Sequence, residues 1–145
     1  MEGVAEKTKE RLVPQEVQIR DGVATFDLQK WDTFSETVLT NRDFADGRLV
    51  QHLDNLGDPP VFARHRDLIA SAEFMFIDGP KDNAFEYRFM ELLRSIKFEK
   101  PPILMFDDTR LWSMLRFWRQ LPYPKMDLTS FGHWSGTGLV ELVEH

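Results

Sequence analysis

The stretch that most constrains the fold is residues 73–110, in which two short apolar runs flank an amphipathic segment. The two runs are residues 74–77 and 103–106. Each has the length and the continuous hydrophobicity of a strand that is buried on both faces, as in a parallel sheet. Between them, apolar residues recur every three or four positions, which predicts one face of a helix: Phe85, Phe89, Leu92, Leu93 and Ile96.

Acidic residues follow both predicted strands. Asp78 comes directly after the first run, and Asp107 and Asp108 come directly after the second. The crossover of a strand–helix–strand unit is right-handed, so both strands point the same way and their carboxyl ends share one edge of the sheet. Three carboxylates at that edge predict a hard-cation site or acid–base chemistry.

The rest of the chain continues the alternation of strands and helices. Residues 23–26 are predicted as a strand that ends at Asp27, although Asp21-Gly22 leaves open a hairpin with residues 17–20. Residues 48–53 are predicted as a further strand, with Asp54 at its end. The apolar spacing predicts further helices over 4–13, 30–39, 61–70 and 111–121, a polar connection over 43–47, and strands over 126–129 and 138–142.

This order predicts an α/β fold with a mostly parallel sheet, helices on both of its faces and an antiparallel pair of strands at one edge. The length fits a single domain over residues 1–145, in which segment 1–22 is the least clearly assigned part.

Composition excludes several classes of function. The formal charge of −6 argues against attraction of the whole chain to nucleic acid or to an anionic membrane, so we expect neither partner, although a local basic site is compatible with it. The chain has no cysteine, so disulfides and thiolate chemistry are excluded. The first residues are charged and lack the apolar core of a signal peptide, and no apolar run approaches the roughly 20 residues of a membrane span. We therefore expect a cytoplasmic protein.

Three motifs in this order resemble the class I S-adenosylmethionine-dependent methyltransferases. The likeness is to their metal-dependent O-methyltransferases and to the cephalosporin-hydroxylase-like group. The motifs are DGPKDN at 78–83, DDTRLW at 107–112 and the closing DLTSFGHWSGTGLV at 127–140, and the likeness covers roughly residues 23–142. The resemblance implies a Rossmann-like three-layer α/β/α sandwich that ends in an antiparallel hairpin.

The resemblance also implies roles for individual residues. Asp78, Asp107 and Asp108 match the family's metal ligands, for which Mg²⁺ or Ca²⁺ is expected here. Lys81 matches the lysine that takes the proton from a substrate hydroxyl. The structural alternative is that Asp78 and Asp107 cap helices and that Lys81 is a solvated surface residue.

For the cofactor S-adenosylmethionine, Asp27 matches the residue that hydrogen-bonds the ribose, and Asp54 is a candidate for the adenine side. The family's first strand and its glycine-rich turn, E/D-x-G-x-x-x-G, are not found in the sequence. The expected fold is therefore incomplete at its N-terminus. Such a gap exposes apolar strand edges, which predicts a homo-oligomer.

Two functions follow from these expectations. The first is a metal-assisted O-methyltransferase that acts on a small hydroxylated substrate. The alternative is a truncated, catalytically inactive methyltransferase-like module that binds or oligomerises, because the glycine-rich turn is missing. A third candidate is a metal-dependent hydrolase that uses the same three aspartates.

Two further groups each allow two interpretations. Arg110, Arg116, Arg119 and Lys125 form a basic cluster that fits an anionic substrate or, more simply, a solvated helix face. His133 and Trp134, in a loop rich in glycine and serine, fit the lining of a substrate pocket; the simpler expectation is that Trp134 packs on the edge of the sheet and that His133 is exposed.

Overall fold

The computed structural model describes residues 22–28, 39–131 and 134–143. It confirms an α/β protein, and the chain divides into two compact units between Leu56 and Gly57. The helix predicted over 4–13, the helix predicted over 30–39 except its last residue, and the first strand of the alternative hairpin lie outside the described residues. The single domain stays a prediction. None of the described helices combines the length and the hydrophobicity needed to cross a membrane.

The described part of the first unit contains two parallel strands, β1 (Val23–Phe26) and β2 (Leu49–His52). This pairing confirms the strand predictions for residues 23–26 and 48–53. The polar connection predicted over 43–47 is wrong in part, because a helical turn, α1 (Asn41–Phe44), precedes β2. The Asp43 carboxylate accepts a hydrogen bond of 2.6 Å from the Thr40 N–H, which satisfies a donor at the start of this turn.

The second unit contains four strands and four helices in its described part. The strands are β3 (Phe74–Ile77), β4 (Ile103–Asp107), β5 (Lys125–Asp127) and β6 (Thr137–Glu141). The helices are α2 (Pro59–Arg64), α3 (Arg66–Ala70), α4 (Phe85–Arg94) and α5 (Trp112–Gln120). The single helix predicted over 61–70 is wrong in detail, because His65 ends α2 and precedes α3 with a backbone outside the helical region.

The four strands form one sheet in the order β3-β4-β6-β5. Strands β3 and β4 are parallel, as predicted from residues 73–110, and Ile77 pairs with Phe106. Strand β6 runs antiparallel to both β4 and β5. The sheet is therefore mixed, and the expectation of a mostly parallel sheet holds only for β3–β4 within this unit.

One face of this sheet forms the core of the second unit. Leu104, Phe106 and Val140 are fully buried, and helix α5 packs against them through Phe117, whose ring lies 5.3 Å from that of Phe106. The opposite face is open at β3, where Phe74 is 53% and Phe76 is 56% exposed. The prediction that both apolar runs are buried on two faces is therefore wrong. Alternate residues of a strand point to opposite faces, and a continuous apolar run does not reveal that only one face is covered.

Gly138 marks the tightest contact between the sheet and α5. A Cβ atom at this position would lie 2.3–2.7 Å from three carbons of the Trp118 ring. We expect Gly138→Ala to lower the free energy of unfolding by about 1–3 kcal/mol, because the core is overpacked. Chemical denaturation measures this loss. The matched control is Gly138→Ala combined with Trp118→Phe, which removes the obstructing ring carbons. If Gly138→Ala lowers the free energy of unfolding as much in the Trp118→Phe background as in the natural chain, this account is wrong.

Candidate metal centre

The acidic residues that follow β3 and β4 lie together at one edge of the sheet. Because Ile77 pairs with Phe106 in parallel register, Asp78 and Asp107 leave their strands at the same end. Asp108 is the next residue, and one carboxylate oxygen from each of the three aspartates lies within 4.8 Å of the others. The predicted proximity of the three carboxylates is confirmed. Their role as metal ligands stays a prediction.

Lys81 brings a positive charge into this acidic cluster. Its ammonium group donates to Asp78 and lies 3.1 Å from Oδ2 of Asp108 and 3.2 Å from the Gly79 carbonyl oxygen. The side chain is largely buried. Lys81 is thus a largely buried, ion-paired member of the cluster, and the interpretation of it as a solvated surface lysine is wrong.

The surroundings of Lys81 determine its protonation state. Burial lowers the pKa of Lys81, but hydrogen bonds and Coulomb attraction from Asp78 and Asp108 outweigh this effect and raise the pKa above its ordinary value. Lys81 is therefore an ammonium at neutral pH in this arrangement. To act as a base it must first lose its ion pairs with these carboxylates.

The backbone around the cluster is held in an unusual conformation. All of the non-glycine residues with positive φ in the described part of the chain are here, namely Lys81 (57°), Asn83 (62°) and Asp108 (56°). Such a conformation costs roughly 1–3 kcal/mol per residue and persists only where the surroundings enforce it. One such constraint is the Lys81 N–H, which donates to Oε1 of Glu86 at 3.0 Å. Strain of this kind concentrates at functional sites.

Glu86 is a component of the site that sequence reasoning missed. It is 1% exposed, and its Oε2 atom has no hydrogen-bond partner among the described residues. Burial of a carboxyl group without hydrogen bonds is costly. The bond that Oε1 accepts from the Lys81 N–H reduces this cost and holds the Lys81 loop against α4. The sequence signal was present, because Glu86 shares the i, i+4, i+7 spacing of a helix face with Met90 and Leu93, which are buried.

Asp82, and not Asp78, caps the helix α4 that follows β3. Asp82 Oδ1 accepts hydrogen bonds from the N–H groups of Ala84 at 2.9 Å and Phe85 at 2.8 Å, at the start of α4. These two bonds lower the pKa of Asp82. Asp78 instead accepts its hydrogen bond from Lys81. The capping function therefore belongs to Asp82.

The two cofactor candidates lie in the first unit. Asp27 directly follows β1, and Asp54 comes two residues after β2, so both are at the carboxyl end of this parallel pair. Oδ2 of Asp27 accepts hydrogen bonds from the Thr25 hydroxyl and from Nε2 of Gln51, the latter at 2.8 Å. These contacts fix the carboxylate, and its role toward a ribose stays a prediction.

Comparison with known proteins identifies no relative. A scan against protein-family models gives no match, and searches of the curated proteins and of the solved structures give none either.

Proposed function

We propose that this chain is a divalent-cation-assisted O-methyltransferase of the class I S-adenosylmethionine-dependent type, acting on a small hydroxylated substrate. The observation that carries the proposal is the convergence of the Asp78, Asp107 and Asp108 carboxylates, whose oxygens lie within 4.8 Å of one another, beside the Lys81 ammonium that pairs with Asp78 and Asp108. The three-layer α/β/α fold and its closing hairpin are part of the proposal. The parallel β3–β4 pair and the antiparallel β5–β6 pair support them.

The donor set suits a hard cation. Three carboxylates supply the oxygen ligands that Mg²⁺ and Ca²⁺ prefer, and Asp78, Asp107 and Asp108 are the residues that would hold the ion. Two members of the cluster, Asp78 and Asp108, already hold a positive charge, that of Lys81, so the geometry is compatible with a cation at this point. When bound, the cation would orient two neighbouring substrate oxygens and lower the pKa of one hydroxyl.

Lys81 contributes the proton transfer in this proposal. With its carboxylate partners engaged elsewhere, the interactions that raise its pKa are removed, while the burial that lowers the pKa remains. The amine is then suited to accept the proton of a substrate hydroxyl. The hydrogen bond from the backbone N–H of Lys81 to Glu86 holds the backbone to which this side chain is attached.

The methyl donor is the part of the proposal that rests on the resemblance. S-adenosylmethionine would place its ribose at Asp27 and its adenine near Asp54, the carboxylates at the end of the β1–β2 pair. Calorimetric titration with S-adenosylhomocysteine tests this part. We expect micromolar binding that is weakened about tenfold by Asp27→Asn. Exposed Asp58→Asn, in the second unit, is the matched control. Absence of heat at high ligand concentration would contradict the methyltransferase proposal.

A second candidate function is an inactive methyltransferase-like module. The observation that favours it is the same lysine, because the ion pairs of Lys81 with Asp78 and Asp108 give the cluster an internal counter-charge. In that case the cluster stabilises the loops and binds no ion. Titration with Mn²⁺ separates the two candidates, since only the methyltransferase requires cation binding at the three aspartates.

We also propose that the chain forms a homo-oligomer. Strand β3 is at the end of the four-stranded sheet, and Phe74, Phe76 and Ile103 expose apolar surface on one of its faces. Exposed apolar strands at a sheet edge favour association with a second chain. Light scattering at micromolar concentration is expected to give a multiple of 17.0 kDa. A stable monomer would contradict this proposal.

A further inference from the structure

Three large aromatic side chains near the C-terminal end are almost fully exposed. Trp112 is 90%, Phe131 is 89% and Trp134 is 84% exposed, whereas the next most exposed large apolar side chain in the described residues, Leu28, is 70% exposed. The expectation that Trp134 packs on the edge of the sheet is therefore wrong. Aromatic side chains gain much from burial, so a group of them left in water marks an interaction surface.

Backbone contacts bring these aromatic residues together. The Arg110 N–H donates to the carbonyl oxygen of Ser135 at 2.8 Å, which joins the segment before α5 to the loop before β6. Trp112 begins α5, two residues after Arg110, and Trp134 immediately precedes Ser135. The Phe131 N–H donates to the Leu128 carbonyl at 2.8 Å, and the Leu128 N–H donates to the carbonyl of Thr137, the first residue of β6, at 2.7 Å. The three rings therefore extend from adjoining segments of the second unit.

Helix α5 adds positive charge to this group. Trp112, Arg116 and Arg119 are exposed at i, i+4 and i+7, opposite the face that buries Phe117 and Trp118. Neither guanidinium group forms an ion pair with a described residue. We call Trp112, Arg116, Arg119, Phe131 and Trp134 the aromatic–basic surface.

The charge near this surface differs from that of the whole chain. Residues 110–140 contain four lysine or arginine residues and a single acidic residue, Asp127, whereas the chain carries a formal charge of −6. Asp127 forms an ion pair with Arg110 at 3.0 Å, so it does not neutralise Arg116 or Arg119. Exposed charges farther away than about 8 Å are screened at physiological salt. The charge next to this surface therefore counts for more than the total, and it includes Asp107 and Asp108, which precede Arg110; Asp108 is paired with Lys81.

We propose that the aromatic–basic surface docks the protein on an anionic phospholipid membrane. Tryptophan and phenylalanine partition into the headgroup region, and arginine is attracted by anionic lipids. The rings are exposed on nearly all sides, which fits a deformable medium that can surround them. A single-stranded nucleic acid would instead stack on ring faces along a groove, and it is the alternative that the experiment must exclude.

Vesicle co-sedimentation of the full chain tests the proposal. We expect binding to phosphatidylcholine vesicles that contain about 30% phosphatidylserine, at least about tenfold tighter than to phosphatidylcholine alone. Tryptophan emission should shift to shorter wavelength on binding, because Trp112 and Trp134 leave water. The double variant Trp112→Ala/Trp134→Ala should weaken binding about tenfold or more and remove this shift.

The variant Arg116→Gln/Arg119→Gln should weaken binding to anionic vesicles and reduce its salt dependence. Its matched control is Lys97→Gln/Lys100→Gln, which removes two exposed charges from the segment before β4, at the opposite end of that strand from Asp107. Circular dichroism should show that all variants keep the fold, since every changed side chain is exposed. Equal loss of binding in the lysine control, tight binding to poly(U) without binding to vesicles, or no binding to any vesicle would each overturn the proposal. None of these results depends on methyl transfer.

Discussion

Asp107→Asn combined with Asp108→Asn is expected to weaken binding of Mn²⁺ or Mg²⁺ by about 100-fold, which corresponds to about 2.8 kcal/mol. The reason is that two of the three carboxylates whose oxygens lie within 4.8 Å of one another become neutral amides. Hard divalent cations bind carboxylates far more strongly than amides. Isothermal titration calorimetry measures the affinity, and the paramagnetic resonance of Mn²⁺ gives an independent measurement of the free ion.

The control for this variant is Glu99→Gln, which removes an exposed carboxylate from the segment between α4 and β4. We expect no change in cation affinity from Glu99→Gln, because Glu99 precedes β4 whereas the aspartates lie at its carboxyl end. The fold must also survive in the double variant. If cation binding persists unchanged in Asp107→Asn/Asp108→Asn, the ion binds elsewhere and the proposed metal centre is wrong.

The sequence predicted this acidic cluster because the cluster depends on local order along the chain. Two apolar runs, a helical spacing between them and aspartates at their ends require only that a strand–helix–strand unit forms with parallel strands. The register of Ile77 with Phe106 then places Asp78 and Asp107 at the same end. No long-range information was needed for this part of the site.

The parts that the sequence could not predict depend on which surfaces are covered. The apolar run at 74–77 does not reveal that only one face of β3 is buried, because Phe74 and Phe76 have the same hydrophobicity whether they are covered or not. In the same way, Trp134 is apolar but remains exposed, whereas the polar Glu86 is buried. Coverage is decided by the helices and loops that pack nearby, which a single segment does not encode.

The ion pairs of Lys81 could not be predicted from the sequence either. The spacing of three residues from Asp78 indicated proximity, but the contact with Asp108 depends on the left-handed backbone of both Lys81 and Asp108. Such conformations are imposed by surrounding contacts, here the hydrogen bond from the Lys81 N–H to Glu86. The sequence therefore indicated the residue types of the site, and the structure added that its lysine is a counter-ion to the carboxylates.

Lys81→Met is expected to strengthen binding of Mn²⁺ about tenfold, or about 1.4 kcal/mol, while it lowers the thermal midpoint without metal by about 5 °C. The ammonium now neutralises Asp78 and Asp108, so a cation must compete with it for the same oxygens. Methionine keeps much of the volume and removes the charge. The carboxylates then repel one another in the free protein, and bound cation should restore the lost thermal stability.

Two control variants make this prediction specific to the charge of Lys81. Lys81→Arg keeps a cation beside the carboxylates, so we expect no gain in affinity for Mn²⁺ from it. Lys97→Met removes an exposed lysine before β4 and should change neither affinity nor thermal midpoint. Titration calorimetry and differential scanning calorimetry measure the two quantities. A loss of stability in Lys81→Met without any binding of Mn²⁺ would favour the inactive module, because the lysine would then serve only to hold the acidic loops together.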